Sequence, residues 1–368
     1  MANFTRILLE IIIGLDLGDK FSYYFVLDSK GERLDEGRIK TSPEAFKEWF
    51  GKLKPSRVAL EVGTHSPWAS RVIKECGHEV LVANSRQFHL IYKNPKKTDR
   101  IDAQNLARVA RMDPELLKPI QHRGLKAQRF GAILRARESL VKSRGVLINH
   151  VRGAVKSFGG RIRCTAHAFH LQAEEQIPEE VRRILKPLLE TISQITDQIK
   201  LYDKNIQRAG EEHFPDAARL RQVKGVGPIL SLAYVLCLED PKRFTRSRTV
   251  GAYLGLTPRK DQSGESDPQL RISKCGDKSV RRLLVGSAQY ILGPFGPDTD
   301  LRRHGERIIK GGGKKAKKRA VIAVARKLAV LLHRLWVSGE DYEPLRNAKR
   351  QGTTPVSPSG AESSFEAK

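Results

Sequence analysis

Two aspartates in the basic stretch KKTDRIDAQNLARV set the first chemical question. Asp99 and Asp102 stand three residues apart, and in a helix that starts at Thr98 such a pair shares one face. Carboxylates held that close repel one another unless water screens them or a cation lies between them. A purely structural reading also exists, with Thr98 as N-cap and acids favoured at the positive end of the helix dipole. Two further acids stand where a carboxylate is costly to bury: Asp16 in the apolar run IIIGLDLG and Glu61 in RVALEVG. Four acids from three elements gain nothing structurally from converging. They suit one or two Mg²⁺ ions, with Mn²⁺ as substitute, because such ions take carboxylate, water and phosphate oxygens. A pair of these ions about 4 Å apart stabilises the attacking and leaving oxygens of a phosphodiester.

Charge points the same way. The chain has 368 residues and a formal net charge of +26, an imbalance that suits neutralising phosphates rather than binding a small metabolite. No run reaches the ~18 apolar residues of a membrane span, and Glu10 interrupts the signal-like ILLEIIIGL. Cys76, Cys164, Cys237 and Cys275 form no CxxC pair, so reduced thiols and a cytoplasmic location are expected. CTAHAFH sets Cys164, His167 and His170 at a metal-like spacing, without an evident fourth ligand.

The elements that must position the acids follow from local pattern. IIIGLDLG is a buried strand, FSYYFVLD and LDEGRIKT return as a meander, and SKGER is the turn between them. SPEAFKEWFGKL is a helix with Ser42 as N-cap and Pro43 at its first position. RVALEVG, SPWASRVIKECG and HEVLVANS continue as strand, helix ended by Gly77, and strand. The order βββαβαβα over residues 10–115 predicts an α/β mixed sheet with helices on both faces. A meander-first sheet can set the strands of Asp16 and Glu61 side by side. These readings together indicate phosphodiester chemistry on a ribonuclease H-like (RuvC-like) fold. IGLDLG also opens actin-like ATPases and sugar kinases, but their downstream phosphate and adenosine loops have no counterpart here.

Residues 120–210 read as a helical, coiled-coil region. Val181, Leu185, Leu188, Ile192, Ile195, Ile199, Tyr202 and Ile206 form an a/d stripe, to be satisfied by the helix near Phe130–Val155 or by a second protomer. Pro187 lies within it and predicts a kink or a start. Residues 216–345 read as a mostly helical domain. It opens with RQVKGVGPILSLAYVL, a helix-hairpin-helix-like turn with Gly225 and Gly227, or a plain inter-helix turn. The polar loop DQSGESDPQ and the basic run LRRHGERIIKGGGKKAKKR follow, and residues 346–368 read as a disordered tail. Candidate nucleic-acid contacts are Lys96, Lys97 and Arg100 beside the acids, and Lys224, Gly225 and Gly227 in the glycine turn. Arg259, Lys260, Lys274, Arg281 and Arg282 flank the polar loop, and Lys314, Lys315, Lys317 and Lys318 follow the triple glycine.

GLDLG with Asp16, ALEVG with Glu61 and KTDRIDAQNLA with Asp99 and Asp102 resemble the DEDD, RuvC-like domain of insertion-sequence transposases of family one-hundred-and-ten. VKGVGPILS, RFTRSRTVGAYLGLTPRKDQSG and ISKCGDKSVRRLLVGSA resemble that family's carboxy-terminal transposase domain in the same order, so the likeness covers about residues 10–345. The resemblance implies a bacterial or archaeal recombinase that exchanges strands between donor and target DNA under the guidance of a non-coding bridge RNA. It implies a serine nucleophile forming a phosphoserine link, at Ser263 in DQSG, acting with the acids and Mg²⁺ in a site shared between protomers. A homodimer assembling to a tetramer would follow. Ser266, Ser273 and Ser279 are neighbouring candidates. Two other readings stay open: a Holliday-junction endonuclease that uses the acids and water, and a non-enzymatic nucleic-acid-binding protein.

Overall fold

In the computed structural model, residues 10–84, 98–268 and 270–347 are described. The chain divides between Arg123 and Gly124 into two compact units.

The first unit runs β1 (Ile11–Asp16), β2 (Phe21–Asp28), β3 (Arg33–Lys40), α1 (Pro43–Gly51), β4 (Arg57–Glu61), α2 (Ser66–Glu75), β5 (Glu79–Ala83) and α3 (Asp99–Met112). The strands form one mixed sheet in the order β3-β2-β1-β4-β5. β1, β2 and β3 pair antiparallel, while β4 runs parallel to β1 and β5 parallel to β4. This α/β arrangement is compatible with a ribonuclease H-like start. β1 is central because it is apolar on both faces. Ile13 and Leu15 enter one core with Phe46 and Phe50 of α1 and Ile73 of α2, and Ile12 enters the other with Ala103 and Leu106 of α3. Helix starts follow local capping: the Ser42 hydroxyl accepts from the Ala45 N–H and the Thr98 hydroxyl from the Ile101 N–H, both at 3.3 Å.

The second unit is helical: α4 (Leu125–Ser157), α5 (Phe169–Gln172), α6 (Glu179–His213), α7 (Pro215–Leu220), α8 (Pro228–Leu238), α9 (Arg248–Tyr253), α10 (Lys278–Leu292), α11 (Asp300–Lys310) and α12 (Ala316–Ser338). Residues 124–210 of the expected helical region and all of the expected following domain lie in this one unit. α4 and α6 pack antiparallel. Val155 and Ile148 share a core with Val181 and Ile192, and Arg137 Nη2 reaches Asp203 at 3.3 Å. α6 is continuous through Pro187. Its buried stripe includes Leu189 and Thr196, with Leu188 and Ile195 only half-buried. An α-helical turn of 3.6 residues does not match a strict 3.5-residue repeat, so the inward residue differs by one at these two positions. A second core forms around α8, where Tyr234 is fully buried and donates to the Ala329 carbonyl of α12 at 2.6 Å.

Among the described residues no helix is long and apolar enough to cross a membrane. Residues 348–368, where a disordered tail is expected, lie outside the described residues.

Candidate active site: an acidic sheet edge and a serine hairpin

The last register pairs of β1 and β4 include Leu15 with Leu60, and Asp16 and Glu61 follow them directly. Alternation fixes their face. Leu15 and Leu60 belong to the core under α1 and α2, whereas Ile12 and Ala59 belong to the core under α3. Asp16 and Glu61 therefore leave the sheet toward the α3 side, at its carboxy-terminal strand ends. Both are half-buried.

α3 crosses that face in the opposite direction to β1. Its middle lies directly on Gly14: a Cβ there would sit 1.9 Å from the Ala103 carbonyl oxygen and 2.5 Å from the Ala107 nitrogen. Its far end reaches the β2–β3 turn, where Arg111 Nη1 donates to the Ser29 carbonyl at 3.4 Å. The amino-terminal turn of α3 therefore lies at the strand ends that carry Asp16 and Glu61. Asp102, next to Ala103, is only 5% exposed, while Asp99, one turn earlier, is exposed. Only a glycine in β1 permits this approach.

The backbone thus brings Asp16, Glu61 and Asp102 to one end of one sheet face, with Asp99 at its rim. The side chains are not gathered into a ready cage. Among the described residues, no group of three His, Cys, Asp or Glu is set to hold a metal ion. That holds equally for Cys164, His167 and His170, of which Cys164 is buried in the α4–α6 core. Near the acidic edge, Trp68 Nε1 donates to His65 Nδ1 at 3.1 Å, which leaves His65 Nε2 to carry the proton toward Asp19, 3.5 Å away.

Ser263 lies in the second unit, at the tip of a hairpin between α9 and α10. The arms pair through Arg259 N–H to the Arg271 carbonyl at 2.9 Å and Ser273 N–H to the Thr257 carbonyl at 2.8 Å. Ser263 and Ser266 exchange backbone hydrogen bonds across the turn, at 3.2 and 3.0 Å, with Gly264 at φ +56. The side chain of Ser263 is exposed. The base of the hairpin is rigid by contrast. Gly255 and Gly276 both have positive φ, and a Cβ on either would collide with backbone of the opposite arm. Arg281 Nη1 ties these arms together, donating to the Leu254 carbonyl at 3.0 Å and the Cys275 carbonyl at 2.6 Å. Of the neighbouring serines, Ser279 is engaged: its hydroxyl donates to Glu138 Oε2 at 2.5 Å.

Several expected nucleic-acid contacts have structural partners. Arg281 holds the hairpin base, Arg282 pairs with Glu138 at 2.9 Å, and Arg100 Nε donates to Glu36 at 3.1 Å. Gly225 has φ +91 and packs against Tyr290 and Ile291 of α10, where a Cβ would come within 3.0 and 3.3 Å; packing alone accounts for its identity. Gly227 is the N-cap of α8. Lys224, Arg259, Lys260, Lys274, Lys314, Lys315, Lys317 and Lys318 are exposed. Lys96 and Lys97 lie outside the described residues. The anchoring roles of Arg281 and Glu138 have no local signal in the sequence, because each depends on a partner distant along the chain.

Comparison with known proteins agrees with both halves of the chain. A DEDD, IS110-type family model described as Transposase matches residues 13–159, and one described as Transposase IS116/IS110/IS902 family matches residues 217–299. A Sinorhizobium fredii protein that carries the name transposase y4pF/y4sB is 30% identical over 86% of this chain and 81% of its own length. The transposase for insertion sequence element IS1111A of Coxiella burnetii is 28% identical over 90% of this chain and 91% of its own. A pilin gene-inverting protein of Moraxella bovis is 26% identical over 69% and 71%. With both regions matched in order and a relative aligned across most of its length, the chain belongs to the IS110 family of transposases.

Proposed function

We propose that this transposase cuts and rejoins DNA strands between an insertion element and its target, with the acids at the sheet edge and Ser263 acting on the phosphodiester. The register of Asp16 and Glu61 on β1 and β4, with buried Asp102 on the turn of α3 above them, carries this reading. Three carboxylates at neighbouring backbone positions offer the hard oxygen donors that Mg²⁺ or Mn²⁺ takes. Asp16, Glu61 and Asp102 would hold the ion, with Asp99 at the rim, and their side chains must turn inward to do so. When bound, the ion supplies charge stabilisation at the phosphoryl oxygens and lowers the pKa of a coordinated hydroxyl.

Ser263 is the proposed nucleophile. A serine hydroxyl is weak at its free pKa and requires activation. Its Oγ gives up its proton and bonds to the phosphorus, the phosphorus–oxygen bond of the cut strand breaks, and the released deoxyribose oxygen takes up a proton as a hydroxyl. Exposure at a hairpin tip with Gly264 beside it suits close approach to a DNA backbone, and the Arg281 brace limits how far that tip wanders. The proposal extends to partners: donor and target duplexes, a bridge RNA that selects them, and a homodimer assembling to a tetramer. The α4–α6 helix pair would serve as a coiled coil in that assembly, and the glycine turn before α8 as a helix-hairpin-helix contact to phosphates.

The test is Ser263→Ala in a strand-exchange assay with the co-purified RNA. Loss of exchange and of covalent protein–DNA adducts supports the serine mechanism. Cleavage that survives the substitution favours the junction endonuclease, which shares the acids but uses water. Nucleic-acid binding by wild-type protein with neither cleavage nor exchange, unchanged in Asp102→Asn, leaves only a nucleic-acid-binding protein.

A further inference from the structure

α11, α12, α9 and the segment after α12 enclose an open groove of about 940 Å³ in the second unit. Its walls are unusually cationic. Arg303, Arg307 and Lys310 recur along one side of α11, and Arg326, Lys327 and Arg334 along the facing side of α12. Some of these charges are balanced: Arg303 pairs with Asp298 at 2.6 Å, and Arg334 lies 3.8 Å from Glu340. Two of the three acids in the wall are occupied as well, the third being Glu343. Glu306 bonds Arg302 at 2.8 Å, and Asp300 accepts from the Asn347 N–H at 2.8 Å. Arg307, Lys310, Arg326 and Lys327 are exposed and have no carboxylate partner among the described residues.

An independent sign of the field is His304, between the two helices. Its proton affinity is lowered by burial and then by the charges of Lys327 and Arg307. Like charges that converge in such excess over acids repel one another, and a polyanion relieves that repulsion. The floor is not wholly polar, since Val330, Leu331 and Tyr342 line it and give a sugar or base an apolar surface to lie on. The groove is shaped by close helix packing: Gly305 of α11 has room for no Cβ, which would fall 2.5 Å from Leu292 Cδ2 and 2.8 Å from Val324 Cγ2.

We infer that this groove seats the phosphodiester backbone of one nucleic-acid strand, with Arg307, Lys310, Arg326 and Lys327 as its phosphate contacts. The inference rests on the transposase reading, since it supplies that reading with a strand-holding surface in addition to the acids and Ser263.

The probes are a 20-nucleotide single-stranded DNA and an RNA of the same sequence, measured by fluorescence anisotropy against the full-length protein over a salt series. Wild-type protein should bind, and Arg307→Ala/Lys327→Ala should weaken binding at least tenfold. With two fewer phosphates neutralised, the slope of log affinity against log salt should flatten by about 1.4. The probe with the larger loss identifies the strand. Arg183→Ala/Lys186→Ala, exposed on α6, removes the same charge elsewhere and should cost less than threefold. Thermal unfolding of each variant checks folding, and Lys310→Ala at the rim should repeat the loss in smaller measure. Unchanged affinity for both probes, an equal loss in the α6 control, or full displacement of the strand by millimolar pyrophosphate overturns the seat and leaves the transposase reading intact. Failure of wild-type protein to bind either strand likewise overturns the seat, whereas only loss of strand exchange on duplex DNA bears on the transposase reading.

Discussion

Asp16 and Glu61 are neighbours by register: each follows a residue of the Leu15–Leu60 pair on parallel strands, and both emerge on the face that α3 covers. This places them side by side on one face of the sheet rather than as two separate surface acids. Asp16→Asn and Glu61→Gln should each reduce strand exchange by about 100-fold or more, the scale of losing a transition-state charge contact. Far-ultraviolet circular dichroism should stay unchanged in both. Retained exchange in either variant contradicts their joint role.

Gly14 sets how closely α3 approaches. With the Ala103 carbonyl oxygen 1.9 Å from a modest Cβ, Gly14→Ala must push the helix outward. The expected cost is about 2 kcal/mol of stability, within the range for overpacking, read as a lowered midpoint in urea. Strand exchange should fall further than stability explains, because Asp102 moves with the helix.

Arg281 braces the hairpin of Ser263 from its base. Arg281→Ala leaves the Leu254 and Cys275 carbonyls without their shared donor, at an expected cost of about 1–3 kcal/mol. Hydrogen exchange should quicken over residues 255–276, and adduct formation should slow more than DNA binding weakens. Arg281→Lys should restore little, since one ammonium does not reproduce the planar fork.

The order of the first unit is legible in the sequence because its cues are local. Apolar runs, the Ser42 and Thr98 caps and the Gly77 stop each act within a few residues, and together they imply the sheet that aligns Asp16 with Glu61. The stripe on α6 is largely legible: Val181, Leu185, Ile192, Ile199 and Ile206 are buried, while Leu189 and Thr196 turn inward in place of Leu188 and Ile195. What is illegible is whatever two distant segments decide together. That Arg282 pairs with Glu138 depends on α4, distant along the chain. The groove cations Arg307 and Lys327 carry only a helical spacing of like charge, which any solvated helix face also shows.

Glu138 joins α4 to α10 through Ser279 and Arg282, and pairs with Lys142 on its own helix. Burial raises its pKa, but hydrogen bonds from Lys142 and Ser279, with the charges of Arg282 and Lys142, outweigh that and bring it down to about 2. A carboxylate depressed on folding stabilises the native state above its unfolded pKa and loses that contribution as pH falls through the folded value. Wild-type protein should therefore melt higher than Glu138→Gln at pH 6, with the gap closing between about pH 4.5 and pH 2. A gap that is constant with pH assigns the effect to packing instead.

Divalent-ion binding by the full-length protein tests the central claim most directly. Titration with Mn²⁺, followed by the loss of its free electron paramagnetic resonance signal, should reveal a saturable site in wild-type protein. That site should be lost or weakened at least tenfold in Asp16→Asn, Glu61→Gln and Asp102→Asn alike. Binding that survives in Asp102→Asn, or that depends on only one of the three acids, contradicts a shared ion at this sheet edge.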